Sequence, residues 1–106
     1  MYKNITVKEL KEKIDKREKF ILLDVRTDME YFDFHLKNSI LIPHYVVEER
    51  HEELKADKDD EIVVICRIGN RSVIAAESLV NLGYKNILNV IGGIIEWKSE
   101  GYPVEE

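Results

Sequence analysis

Glu61-Ile62-Val63-Val64-Ile65-Cys66-Arg67-Ile68-Gly69-Asn70-Arg71-Ser72 is the stretch on which the reading of the chain turns. Its first five residues form an apolar, β-branched run, the pattern of a strand buried on both faces of a parallel sheet. Val73 to Leu82 follow with a helical pattern that Gly83 ends. The chain's one cysteine therefore stands at the carboxyl end of a buried strand, where a loop turns into a helix N-terminus. Open α/β sheets bind their ligands at that end. Backbone N–H groups and the positive end of the helix dipole converge there and favour an anion. Arg67 and Arg71 add positive charge, and such surroundings stabilise a thiolate. The unit reads as a nucleophile, Cys66, in an anion cradle made of Arg67, Ile68, Gly69, Asn70, Arg71 and Ser72. Gly69 supplies a backbone conformation that side-chained residues resist, so that successive N–H groups point inward. Ser72 is expected as the helix N-cap, and Ile68 and Asn70 as donors of backbone N–H groups. The bland alternative is a buried cysteine acting as a small apolar side chain. The two arginines, the glycine and the strand-to-helix placement weigh against it.

The flanking chain supplies the rest of a sheet. Phe20-Ile21-Leu22-Leu23-Asp24-Val25 is another continuously apolar strand, and Ile40-Leu41-Ile42 a short one stopped by Pro43. Asn4-Ile5-Thr6 reads as an edge strand or lead-in, and Ile87-Leu88-Asn89-Val90 as the last strand. Thr6-x-x-Glu9 and Thr27-x-x-Glu30 are capping-box patterns that open helices. Val7, Leu10 and Ile14 continue the first at helical spacing. Val46, Val47, Arg50, His51 and Leu54 can share a helical face, and Gly92-Gly93 permits a tight turn before a closing helix at Ile94-Ile95-Glu96-Trp97. Five strand candidates alternating with helices argue for a parallel α/β sheet covered on both faces. There is no internal repeat and no linker.

Bulk properties narrow the function. A chain of 106 residues makes one domain with one modest core. A net charge of −5 argues against general binding to nucleic acid or acidic membranes. No apolar run approaches a membrane span, and no signal-peptide core follows Met1-Tyr2-Lys3-Asn4, so a cytoplasmic product is expected. A lone cysteine allows no intramolecular disulfide and no cysteine cluster for a metal. The three histidines, His35, His44 and His51, are too scattered for a metal site; His44 and His51 are expected in solvent.

Cys-Arg-x-Gly-x-Arg-Ser after a β-branched strand resembles the active-site loop of the rhodanese sulfurtransferases. Leu22-Leu23-Asp24-Val25-Arg26, followed by Glu30-Tyr31 and His35, resembles the family's first signature. Val90-Ile91-Gly92-Gly93, followed by Trp97, Gly101 and Pro103, resembles its C-terminal one. The resemblance covers nearly the whole chain. It implies a single rhodanese domain over 1–106, built on an open parallel sheet of about five strands with helices on both faces. It implies nucleophilic sulfur transfer in two steps, with no metal or organic cofactor. Cys66 would take sulfane sulfur from thiosulfate or a persulfide and carry it as a persulfide. With no second cysteine to resolve it, that sulfur would pass to an external thiol, to cyanide, or to a protein partner in a sulfur relay. The resemblance also implies an ion pair between Arg26 and Glu30, and a structural role for His35. One departure is Phe34, where the family has glycine, close to where its substrate enters. Phe34 and His35 are therefore the candidates for pocket residues. Another is Asn38, expected to take a left-handed turn in place of glycine.

Two other classes compete. Cysteine phosphatases and arsenate reductases on related folds place five residues between cysteine and arginine, and here only four separate Cys66 from Arg71. A persulfide carrier or regulatory binding module with a dedicated partner would share the fold. Purely binding modules often lose the cysteine, which this chain keeps.

Overall fold

The computed structural model describes all residues from Met1 to Glu106. The elements are β1 (Tyr2–Ile5), α1 (Val7–Asp15), β2 (Ile21–Asp24), α2 (Asp28–Asp33), β3 (Ile40–Leu41), α3 (Val47–Arg50), β4 (Glu61–Ile65), α4 (Asn70–Asn81), β5 (Asn86–Val90) and α5 (Gly93–Ser99). Short 3-10 turns at His44–Val46 and His51–Leu54 flank α3. The five strands form one parallel sheet in the order β1-β5-β4-β2-β3. The chain runs outward from β2 to β3, then returns to β4 and runs the other way to β5. The carboxyl ends of β2 and β4 thus flank the point where the direction reverses, the usual place for a ligand in such sheets.

Period-two alternation splits the sheet into two cores. Leu23, Val25, Ile62, Val64, Cys66 and Ile87 face one side, where Ala75, Ala76 and Leu79 of α4 and Val47 of α3 cover them. Leu22, Val63, Ile65 and Val90 face the other, against Val7 and Leu10 of α1 and Ile94 and Trp97 of α5. Trp97 is a core residue, 2% exposed, whose indole N–H donates to the Pro103 carbonyl at 2.8 Å. No helix is long and apolar enough to cross a membrane.

Local rules set the element ends. Both threonine capping boxes form: Thr6 accepts from the Glu9 N–H, and Thr27 from the Glu30 N–H, with each glutamate bonding back. Asn38 adopts the left-handed conformation expected of it, at φ +67°. At the end of α4 the Gly83 N–H donates to the Val80 carbonyl and the Tyr84 N–H to the Leu79 carbonyl, a Schellman closure around the positive φ of Gly83.

Two expectations are corrected. Helix α4 starts at Asn70, three residues before the expected start at Val73, and its N-cap position is Gly69, not Ser72. Gly69, at φ +107°, lets the chain pass straight from the loop into the helix, so Ser72 is carried inside the first turn. Arg26 does not form its ion pair with Glu30. It pairs with Asp24 at 2.8 Å, both side chains being almost wholly buried. Its guanidinium also donates to the carbonyls of Glu30 and Phe34 at the end of α2, the first of which also accepts the Phe34 N–H. Asp24 at the end of β2 is 0% exposed and needs this counter-ion. The Glu30 carboxylate is turned the other way by its capping box.

Candidate active site

Strand β4 delivers Cys66 to the carboxyl edge of the sheet, 1% exposed, on the face packed by α4. Its sulfur accepts the Gly69 N–H at 3.1 Å and its thiol donates to the Ser72 hydroxyl oxygen at 3.4 Å. The loop between them is held from outside. The first N–H groups of α5, from Ile94 and Ile95, donate to the carbonyls of Cys66 and Arg67 at 2.9 and 3.1 Å. Those carbonyls therefore point away from the sulfur toward α5, and one helix start satisfies them. The approach depends on Gly93: a Cβ there would sit 2.6 Å from the Cys66 carbonyl oxygen and 2.5 Å from the Arg67 carbonyl carbon.

The two loop arginines have different surroundings. Arg71 forms a two-bond fork with Glu30 of α2, at 2.7 and 2.9 Å. The fork, assisted by the Thr27 N–H and hydroxyl, outweighs desolvation and holds the Glu30 carboxyl at about 2, far below the ordinary 4.5. The same fork raises the Arg71 guanidinium above its usual value. Arg67 is exposed and has no ion-pair partner, so its charge faces outward uncompensated.

Beside the loop lies a cavity of about 140 Å³, lined by Arg67, Phe34, Glu30, Asp33, Ile94 and Ile95 among others. Phe34 is held there between two cations, with the Arg26 guanidinium carbon 5.5 Å and the Lys98 ammonium 4.0 Å from its ring centroid. His35 does not line this cavity. Its Nδ1 meets the Tyr31 carbonyl oxygen at 2.8 Å, its ring stacks on Tyr31 at 4.0 Å, and its backbone pairs with Glu105 near the C-terminus. Ile68 is 57% exposed at the loop's crest, and Asn70 is exposed at the start of α4. Of the other histidines, His51 departs from the expectation of solvent: its Nδ1 lies 2.7 Å from the Tyr84 hydroxyl. No group of side chains is arranged to hold a metal ion.

Sequence reasoning missed three contributors. The Glu30–Arg71 fork joins residues 41 positions apart, a contact that no local pattern encodes. Gly93 reads only as turn-permitting until the loop is seen against it. Asn89 is buried beneath Ser72, whose hydroxyl lies 2.5 Å from its Oδ1. Its signal was available: it is the one polar residue in the run Ile87-Leu88-Asn89-Val90.

A buried cysteine in a four-residue Cys-to-Arg loop, between the central strand of a parallel sheet and a helix, defines a class of α/β proteins with a cysteine-centred loop. The chain belongs to the rhodanese-like domain family, whose model matches residues 6–100. Thiosulfate sulfurtransferase GlpE of Coxiella burnetii is 34% identical over 99 residues, covering 93% of this chain and 90% of that protein. The structure of a rhodanese-related protein from Thermoplasma volcanium superposes with a TM-score of 0.84 at 40% identity, covering 97% of both chains. The chain spans only 49% and 23% of the length of two other curated relatives. The second of these is the adenylyltransferase and sulfurtransferase UBA4 of Candida albicans, 34% identical over 102 residues and covering 91% of this chain. Both UBA4 and GlpE are named sulfurtransferases.

Proposed function

We propose that this chain is a sulfurtransferase in which Cys66 carries sulfane sulfur as a persulfide. The observation that carries the reading is the position of the Cys66 sulfur: buried at the end of β4, accepting the Gly69 N–H at 3.1 Å, under a loop whose free cation is Arg67. With thiosulfate as donor, the Cys66 thiolate attacks the outer sulfur, the S–S bond breaks, and sulfite leaves with the bonding pair. The negative charge passes to the terminal sulfur of the new persulfide. Arg67 draws the donor's sulfonate end to the loop, while Arg71, already matched by Glu30, braces the loop against α2. A thiol, cyanide or a partner protein then takes the terminal sulfur and restores the thiolate. The cavity beside Arg67, narrowed by Phe34, admits a small donor or the tip of a partner's chain.

A relay role with a dedicated protein partner is the second reading. It is favoured by the match to a segment of UBA4, a longer protein named both adenylyltransferase and sulfurtransferase. The lone cysteine of this chain suits a reducing, cytoplasmic setting for either role.

Intact-protein mass spectrometry tests the proposal. Incubation with thiosulfate should add one sulfur atom to the parent and none to Cys66→Ser, and added cyanide should remove it as thiocyanate. A folded parent that takes sulfur neither from thiosulfate nor from a small persulfide would overturn the reading.

A further inference from the structure

Behind Cys66 a row of three polar side chains runs from α4 across the face of the sheet that it covers, out to the edge strand β1. The Ser72 hydroxyl lies 3.4 Å from the Cys66 sulfur, 3.2 Å from the Gly69 carbonyl oxygen and 2.5 Å from Asn89 Oδ1. The Asn89 Nδ2 donates in turn to Asn4 Oδ1 at 3.1 Å. Asn4 and Asn89 are direct partners across the parallel pair of β1 and β5. Ser72 is 0% and Asn89 3% exposed, whereas Asn4 is open to solvent.

The direction of the protons in this row follows from its chemistry. The Ser72 hydroxyl meets the amide oxygen of Asn89, and the amide nitrogen of Asn89 meets Oδ1 of Asn4. A serine hydroxyl has one hydrogen. Two of its three neighbours, Asn89 Oδ1 and the Gly69 carbonyl, can only accept. With its hydrogen committed to Asn89, Ser72 offers the sulfur only lone pairs. These suit a thiol S–H and oppose a negative charge on the sulfur.

We propose that Asn89, set in register by Asn4, is a positioning residue that withholds the Ser72 hydrogen from Cys66 and so favours the loaded site over the empty thiolate. The inference rests on Cys66 being the sulfur carrier. In exchange with a donor persulfide, Cys66-S⁻ + R–S–S⁻ gives Cys66-S–S⁻ + R–S⁻. The negative charge leaves the inner sulfur, where Ser72 opposes it, for the outer sulfur. The inner sulfur becomes a neutral bridging atom that asks little of Ser72. The network thus raises the free energy of one side of the exchange only. The charged groups around the Cys66 loop are Arg67 within it, the Arg71–Glu30 fork, whose arginine interacts with Cys66, and the Asp24–Arg26 pair at the end of β2; substitution of Asn89 alters none of them.

Second-order alkylation of Cys66 by iodoacetamide, followed by intact mass across a range of pH, provides the test. It needs no sulfane sulfur, so it is independent of whether thiosulfate loads the site. Asn89→Ala frees the Ser72 hydrogen and should alkylate several-fold faster near neutral pH, with the whole profile displaced to lower pH. Asn4→Lys, at an exposed position, offers only donors, turns the Asn89 amide over, and should act in the same direction with the fold undisturbed. The added charge of lysine is separated by repeating each substitution in a Ser72→Ala background: the gain should vanish for Asn89→Ala and shrink to the bare charge effect for Asn4→Lys. The fraction of protein carrying sulfur at equilibrium with glutathione persulfide and glutathione should fall several-fold in Asn89→Ala. If instead Ser72→Ala alone slows alkylation of the parent, while Asn89→Ala and Asn4→Lys leave the profile in place, the hydrogen already rests on the sulfur and the inference fails.

Discussion

At Gly93 a single hydrogen atom decides whether the loop can be built. The N–H groups of Ile94 and Ile95 reach the carbonyls of Cys66 and Arg67 only because nothing projects from the residue before them. Gly93→Ala is expected to cost roughly 2–4 kcal/mol, from a backbone clash added to a positive φ. Urea denaturation measures the cost, and sulfur loading should fall with it. The two arginines should separate cleanly in steady-state kinetics. Arg67→Ala should raise the KM for thiosulfate roughly tenfold with kcat little changed, as befits a lost charge-assisted contact to the donor. Arg71→Ala should instead lower stability, because it leaves Glu30 without its counter-ion. What depends on a residue's own place in the chain was legible: a cysteine at the carboxyl end of a buried strand, and a glycine with positive φ where the loop enters α4. Residues that act by meeting a distant neighbour were not. The partner of Glu30 was misassigned because the pair with Arg26 was carried over from the family resemblance, whereas the buried Asp24 claims Arg26 and leaves Glu30 to Arg71, forty-one residues away.

Helix α2 shows how an element can carry both a cap and a brace. Glu30 closes the capping box with Thr27 and also grips Arg71 at the start of α4, so one carboxylate joins two helices. The pair is about a quarter exposed, which weakens it by screening, and a contribution of about 1–2 kcal/mol at neutral pH is expected. The pH dependence has a definite sign. The folded-state value of Glu30 lies at about 2, below its ordinary 4.5. Its contribution is therefore complete above the ordinary value and is lost as pH falls from there toward the folded value. Glu30→Gln should flatten that part of the stability curve, read by denaturation at a series of acid pH values. The starts of α1 and α2 were legible because a capping box is a local pattern. The start of α4 was not. Serine is a common N-cap, yet here a glycine with positive φ takes the turn, and Ser72 goes inward to meet Asn89.

Over the whole molecule, two cores share one sheet, and the chain's last residues seal the second. Tyr102 packs edge-on to Trp97 at 5.0 Å, Val104 lies against the same cluster, and Glu105 pairs with His35. Ending the chain after Gly101 should cost roughly 2–4 kcal/mol through the apolar surface uncovered, seen as a lowered midpoint in urea. The parallel α/β architecture was legible because buried strands and amphipathic helices differ in period. The strand order was not written in any single segment, since pairing is a relation between segments. That order has a consequence in time. β1 is the first strand of the chain, but its one neighbour in the sheet is β5, the last, with Tyr2 opposite Ile87. A chain growing from its amino end leaves β1 unpartnered until β5 has been made. The loop bearing Cys66 emerges earlier than the segment that contains Asn89, Gly93 and the helix that braces it. During synthesis Cys66 is thus present before its surroundings are, and its loop is braced only once β5 and the start of α5 have been made.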